Sequence, residues 1–452
     1  MVSERIRKYS VDRVVLFLIF ILGLVIAQVI VQSRGRISLS GPMKLDYTGI
    51  SVRIPSGRGW VSNTTWVYYE DGYRLVSEYR PDGKHTSASV SCQYVLFFPS
   101  GGVDERFVQS AAVLGGEVIE RGRFDSGGLL IEWARITVPR ALQEVYIGFA
   151  QLPGNRGFVI QSTQIGPLEE PAFQAFELVA GSVEFGGNEL LAKGISLAGS
   201  AHSGITSQLD KRFYLIKNSR EQLVGFGYEM IKGSDNYGRG RVRAGSFSRF
   251  GNRLESYELF ESESDLGLFS WSSHISRPLG MGGEDIRAEM IEEGLLRVES
   301  SALSRPKNKR IGPSSIPGIV VEPVLKNFLE SGERAVVIDI VLAEGKVVPT
   351  LLSRVDLKEG NNNKQMRAVR MEFLDGRGYN QEVYFDKDGK TGRQIVRQED
   401  TFTLERVAEK DLPDVFSGRK ESIVRMEEWV REGGNSEKDI LRRAEGNGAI
   451  GI

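Results

Sequence analysis

Short runs in which apolar and polar residues alternate dominate this chain, and helical spacing is the exception among them. ISVRIP (residues 50–55) alternates with β-branched residues and predicts a strand that ends at Pro55. Segments 65–70 and 73–79 bracket Asp71-Gly72, a hairpin signal. Residues 89–98 predict another strand, closed by PSGG. Residues 103–114 (VDERFVQSAAVL) instead space Val103, Phe107, Val108, Ala111 and Leu114 as one helix face, with Gly115-Gly116 as the stop. Strands follow at 129–138, 144–152 and 157–164, then a helix over 171–180 (PAFQAFELVA) opened by Pro171 and ended by Gly181. SVEF closes the unit. Residues 47–186 therefore predict an α+β domain with an antiparallel sheet covered by helices.

Residues 187–206 are rich in Gly, Ser and Ala and predict a hinge, with Leu190, Leu191 and Leu197 available for local docking. A hinge of this composition implies two units that fold separately and move relative to each other. From 207 to 416 the alternation becomes a long meander. Strands are expected at 211–217, 222–232, 239–250, 253–262, 267–276, 289–292 and 295–301. RPKNKRIGPSSIPG (305–318) interrupts them with three prolines and reads as a loop, and IVVEPVLKNFLES (319–331) gives the one helix of this half. Strands at 335–342, 347–357, 367–373, 381–386, 392–398 and 402–407 complete a large antiparallel sheet curling over that helix. The tail, 417–452, is charged, with an amphipathic helix expected at 421–431 and a glycine-rich end expected to be disordered.

One segment departs from all of this. From Val14 to Val31 the chain reads VVLFLIFILGLVIAQVIV, eighteen residues without a charge. As a helix it reaches about 27 Å, the thickness of a bilayer's hydrocarbon. Arg5, Arg7, Lys8 and Arg13 precede it, which predicts a signal anchor: residues 1–13 a cytoplasmic tail, 14–31 a single transmembrane helix, 32–46 a linker, and the bulk of the chain periplasmic. Val25-Ile26-Ala27 also passes the small-residue rule for cleavage, so a cleaved secretory peptide is the competing reading. No cysteine stands near the end of the run, which excludes a lipid-modified bacterial N-terminus.

Composition narrows the chemistry. Fifty-eight Lys and Arg balance fifty-nine Asp and Glu, and that excludes a general nucleic-acid binder. The single cysteine, Cys92, lies in a strand-like segment and reads as a buried small hydrophobe. His85, His202 and His274 have no metal-ligand spacing, and no P-loop, C-x-x-C, H-E-x-x-H or G-x-S-x-G motif is present. No catalytic, cofactor-binding or metal residue is therefore assigned. Asn63-Thr64-Thr65 is a glycosylation sequon of consequence only in a eukaryotic host. FDKDGK (385–390) is too short before the next strand to be a calcium loop, and reads as a hairpin turn. Arg239, Arg241 and Arg243 project from one strand face as a cationic stripe, and RPKNKR (305–310) is a second basic cluster; both read as solvated charge.

Two resemblances add to this reading. With the strand GISVRIPSGRGW, the helix ERFVQSAAVL, the strand GFVIQSTQ and a closing helix running into AGSVEF, residues 47–185 resemble the PsbP-like α/β fold. With its meander, the helix VEPVLKNFLES and the late hairpin QEVYFDKDGKTGRQIVRQ, the second half is similar to the outer-membrane lipoprotein carrier fold. The second resemblance implies an incomplete barrel with a helical lid over an apolar cavity for acyl chains. Together these features predict a non-catalytic, membrane-anchored cell-envelope protein of the inner membrane that binds an apolar ligand, lipid or lipoprotein, or a protein partner. The alternatives are an assembly component of an envelope complex, and an envelope hydrolase built around His274 with Ser272 or Ser273.

Overall fold

The computed structural model describes residues 37–412 apart from 58, 70, 82, 84, 99–101, 166–170, 201–209, 233–238, 250–253, 264–267, 277–283, 293 and 356–366, together with residues 423, 424 and 428. The anchor run 14–31 lies outside the described residues, and among those described no helix is long and apolar enough to cross a membrane.

The first strands are short: β1 (Ser38–Leu39), β2 (Met43–Leu45), β3 (Ile50–Val52), β4 (Pro55–Ser56), β5 (Trp60–Ser62) and β6 (Val67–Tyr69). The stretch expected as a linker up to residue 46 thus already belongs to the fold, because β1 pairs with β4 and β2 with β3. Longer elements follow: β7 (Gly72–Tyr79), β8 (Ala88–Val95), α1 (Val103–Leu114), β9 (Glu117–Ser126), β10 (Leu129–Val138), β11 (Gln143–Leu152), β12 (Arg156–Ile165), α2 (Pro171–Ala180), β13 (Glu184–Phe185) and α3 (Glu189–Ser200). They form an eight-stranded antiparallel sheet in the order β5-β7-β8-β12-β11-β10-β9, with β6 also on β7. Both predicted helices stand where their spacing put them, one on each face. α1 buries Phe107 and Ala111 against Ala134, Ile136, Val145 and Phe149, and ends where Gly115 turns left-handed at φ 70°. α2 buries Ala172, Ala175, Phe176 and Val179 against Ile131, Trp133 and Tyr146. Cys92 is fully buried in β8 within that core, and burial pushes its thiol pKa up.

The second sheet has fifteen strands: β14 (Asp210–Asn218), β15 (Leu223–Lys232), β16 (Arg239–Arg249), β17 (Leu254–Glu263), β18 (Phe269–Ser276), β19 (Glu284–Glu292), β20 (Leu295–Ser300), β21 (Lys307–Arg310), β22 (Ile316–Pro317), β23 (Ala335–Val341), β24 (Val347–Arg354), β25 (Arg367–Phe373), β26 (Asn380–Phe385), β27 (Thr391–Arg397) and β28 (Thr401–Val407). Helix α4 (Glu322–Ser331) lies between β22 and β23. The chain lays β14 to β21 outward, crosses in a short connection to the far edge at β22, passes through α4, and returns from β23 until β28 pairs with β14. All pairings are antiparallel except β22 with β23. The sheet is strongly curled: β18 and β23 lie ten places apart in the order, yet Trp271 and Ile340 line one cavity. The edges nearly meet, with Gly345 in the β23–β24 turn packed against Val298 of β20. The fold is therefore mostly antiparallel α+β, with an open, barrel-like second sheet.

Three expectations need correction. The basic cluster at 305–310 is not a free loop, since Lys307–Arg310 pairs as a strand with β20 and Lys309 bonds Asp71 at 2.5 Å. The segment expected as a hinge holds α3, whose Leu191 and Ala198 are buried against the second unit. The two units also share a core, where a hinge implied two separate ones. One continuous core runs from Leu75, Tyr94 and Phe158 in the first to Val336, Ile338 and Val348 in the second.

Candidate functional site

The concave side of the large sheet, closed by α4, holds a cavity of about 380 Å³. Alternation decides which side chains reach it. In β14 the even positions Tyr214 and Ile216 face inward, while Phe213 and Leu215 pack on the convex side with Leu412 and Ile423. In β23 Ile340 lines the cavity, and Asp339 faces the first unit. The strand is buried on both faces, which is why AVVIDIV reads as a nearly unbroken apolar run.

Most of the wall is apolar: Leu325 from α4, Leu342 after β23, Met371 and Phe373 from β25, Val383, Val396 and Leu404 from the last three strands. One end is polar. Register places Arg212, Glu229, Gly245, Glu258 and Ser273 side by side across five strands. Arg212 donates to Glu322 at the start of α4, 2.5 Å, and to Asp210, 2.6 Å. Burial works against the Arg212 charge, but the adjacent Glu322 carboxylate more than offsets it, and the guanidinium pKa rises. Lys326 approaches the other Glu322 oxygen at 2.9 Å, and the Tyr214 hydroxyl donates to Glu229, 3.1 Å. Gln381 donates to Gln394, 2.8 Å. At the other end of α4, Arg354 caps the last turn by donating to the Leu329 carbonyl, 2.8 Å. The helix is thus latched to the sheet at both ends.

None of these polar residues stood out in the sequence. The signal was present: Arg212 and Glu229 sit on the same parity as buried residues in alternating strands. Both faces of β14 are apolar, so parity alone does not say which one lines a cavity.

His274, the centre of the hydrolase alternative, accepts a different geometry. Its Nδ1 lies 2.6 Å from Asp285 on the neighbouring strand. Ser273 and Trp271 share the cavity-facing parity, so His274 and Ser272 stand on the convex face. Ser272 is two residues along the strand, an offset of about 6.7 Å. The pair therefore does not sit in the cavity. The arginine stripe of β16 lies outside the residues whose side chains are described. At 385–390 the chain makes the expected turn, with the Asp386 carboxylate accepting from the Asp388 and Lys390 backbone N–H groups. Among the described residues no group of His, Cys, Asp or Glu is arranged to hold a metal ion.

No protein-family model matches the chain, and no curated protein matches it. Among solved structures it is similar to a beta-barrel-like protein of the domain of unknown function DUF1849 from Brucella abortus, with 12% identity over 44% of this chain and 94% of that one and a TM-score of 0.34. A DUF1329 family protein from Desulfovibrio piger matches at 13% identity over 51% of this chain and 98% of that one, with a TM-score of 0.18. Neither is described as PsbP-like. Likenesses at this level carry neither the fold nor a function, and the architecture rests on the strand register above.

Proposed function

We propose that this is a non-catalytic cell-envelope protein, anchored in the inner membrane through residues 14–31, that binds an apolar ligand in the cavity beneath α4. The observation that carries the reading is the cavity itself: its volume falls in the range of small-molecule sites and its wall is mainly aliphatic and aromatic. Glu322 and Glu229 bond to Arg212 and Tyr214, and Gln381 to Gln394, so these polar groups fix the shape of the site while the apolar wall supplies the affinity. A sheet curled around a helix is also what the resemblance to lipoprotein carriers implies, and an acyl chain is the ligand that resemblance favours.

The test is direct. Full-length protein extracted from its own membrane should carry co-purified lipid in a native mass spectrum. After delipidation it should bind an environment-sensitive fluorescent fatty acid. Val396→Trp, which places a ring into the open space, should weaken that binding at least about tenfold while leaving the thermal midpoint within a few degrees. Unchanged binding in the variant would place the ligand elsewhere. Ligand-free protein that instead captures one stoichiometric partner would favour the assembly-component reading.

A further inference from the structure

The edge of the first sheet carries a surface that the cavity does not use. β5 and β6 both pair with β7, and register places Val61 opposite Glu78, Val67 opposite Arg74 and Tyr69 opposite Gly72. Those β7 positions have one parity, so Val61, Val67, Tyr69 and Arg74 project from the same face, together with Glu78, whose charge Arg80 pairs. The three apolar side chains are 57%, 50% and 63% exposed, and Arg74 is exposed beside them. The partners of this edge on the opposite face, Tyr68 and Tyr73, turn inward to the second unit. A sheet edge that sends an exposed tyrosine and two valines outward, next to arginine, has the composition of a membrane-interface surface.

Chain length says which surface covers it. Only residues 32–36 separate the apolar run from Ile37, and β1 begins at Ser38. Six steps from Val31 to Ile37 span at most about 20 Å. β1 pairs with β4, and Ser62 of β5 donates to the Pro55 carbonyl of β4, 2.6 Å. The tether therefore ends beside β5. Residues 33–84 hold eight basic and five acidic residues, with Arg34 and Arg36 inside the tether itself.

We propose that the face carrying Val61, Val67, Tyr69 and Arg74 lies on the phospholipid surface, anionic headgroups included, of the bilayer that holds residues 14–31. This rests on the reading of that run as a membrane span. Docking fixes the orientation of the first unit and, through the shared core, of the cavity behind it. It gives the tether's shortness a purpose, since a freely tumbling domain would need a longer linker.

Cys92 is fully buried, so single cysteines introduced at the surface can be labelled in the full chain. Val67→Cys and Tyr69→Cys would carry a bimane fluorophore in nanodiscs of phosphatidylethanolamine and phosphatidylglycerol containing a headgroup-level nitroxide lipid. Asp388→Cys, on the exposed β26–β27 turn, is the distant control, and Gln28→Cys with a deep-chain nitroxide reports insertion of the run. Docking predicts quenching at 67 and 69 several times that at 388, reduced about twofold by Arg74→Glu or by raised salt. Quenching at 28 with none at 67 and 69 overturns the docking and leaves the anchor standing. No quenching at 28 removes the anchor and the docking with it. Energy transfer between labels at 67 in discs holding two copies would assign the face to a second copy of the chain, and equally overturns the proposal.

Discussion

Arg156 and Asp339 meet where the two units join, each only 3% exposed, and the Arg156 guanidinium also donates to the Leu96 carbonyl. Asp339 Oδ1 and Arg156 Nε have no hydrogen-bond partner, so the pair is buried without being fully satisfied. Removing one partner leaves an uncompensated buried charge, whereas replacing both by apolar groups removes the desolvation cost as well. Asp339→Asn is therefore expected to destabilise the protein by about 3–5 kcal/mol in denaturant titrations, and Arg156→Met with Asp339→Leu to recover most of that. A double variant no more stable than Asp339→Asn would show that the ion pair contributes net stability. Glu382 presents the opposite case. Burial raises its pKa, but hydrogen bonds from Arg397, Arg370 and Tyr384 outweigh this and bring it to about 2. The folded value lies below that of a free glutamate. Its stabilisation is thus complete above about pH 5 and is lost as pH falls through about 2. The shift corresponds to about 3 kcal/mol at most, and the half-exposed arginines reduce it to about 1–2. Glu382→Gln should lower stability by that amount at pH 7, and the gap to the parent should close at pH 2. A gap independent of pH would assign the loss to packing.

At the scale of elements, α3 shows best why part of the fold was hidden. A Cβ built at Gly194 would stand 1.8 Å from the Val337 carbonyl oxygen of β23, so the helix seats on the strand only because that position has no side chain. Gly194→Ala raises helix propensity by about 1 kcal/mol, yet forces the helix off the strand. The clash should win, with a net loss of about 1–3 kcal/mol in thermal or chemical denaturation. A stabilised Ala variant would mean that α3 does not seat there. The composition that makes this contact possible is also what makes residues 187–206 read as a hinge. Where an element's own pattern dictates its structure, the reading was direct: α1 and α2 follow from spacing and glycine stops. β9 leaves no strand signal in the sequence because EVIERGRFDS is an edge strand whose charged side chains face solvent, without an apolar alternation. The cavity's apolar wall is what the resemblance to lipoprotein carriers implies. Its polar row is not implied, because it depends on cross-strand register and on a helix distant in sequence.

At the scale of the molecule, the two units share one packed core. α3 packs on β23, the Tyr73 hydroxyl donates to the Leu374 carbonyl at 2.5 Å, and Lys309 of β21 reaches Asp71 at 2.5 Å. Lys346 lies over the Tyr68 ring at 4.5 Å and bonds Asp375 at 3.0 Å, so charge and aromatic contacts flank the apolar seam. Interfaces that permit free domain motion are more polar than a seam with Val337, Leu191 and Leu351 at its centre. The hinge reading called for two independent unfolding transitions. The continuous core calls instead for one transition in calorimetry of the full chain in detergent, with calorimetric and van't Hoff enthalpies in agreement. Asp339→Asn and Gly194→Ala then become diagnostic together. Each touches only the seam, so in a single cooperative system each shifts the whole transition, by a few degrees for a chain of this length. Were the units separable, the same substitutions would leave two peaks at unchanged temperatures and free the halves to move apart. That result would detach the membrane-facing sheet edge from the cavity, and docking would then orient the first unit alone.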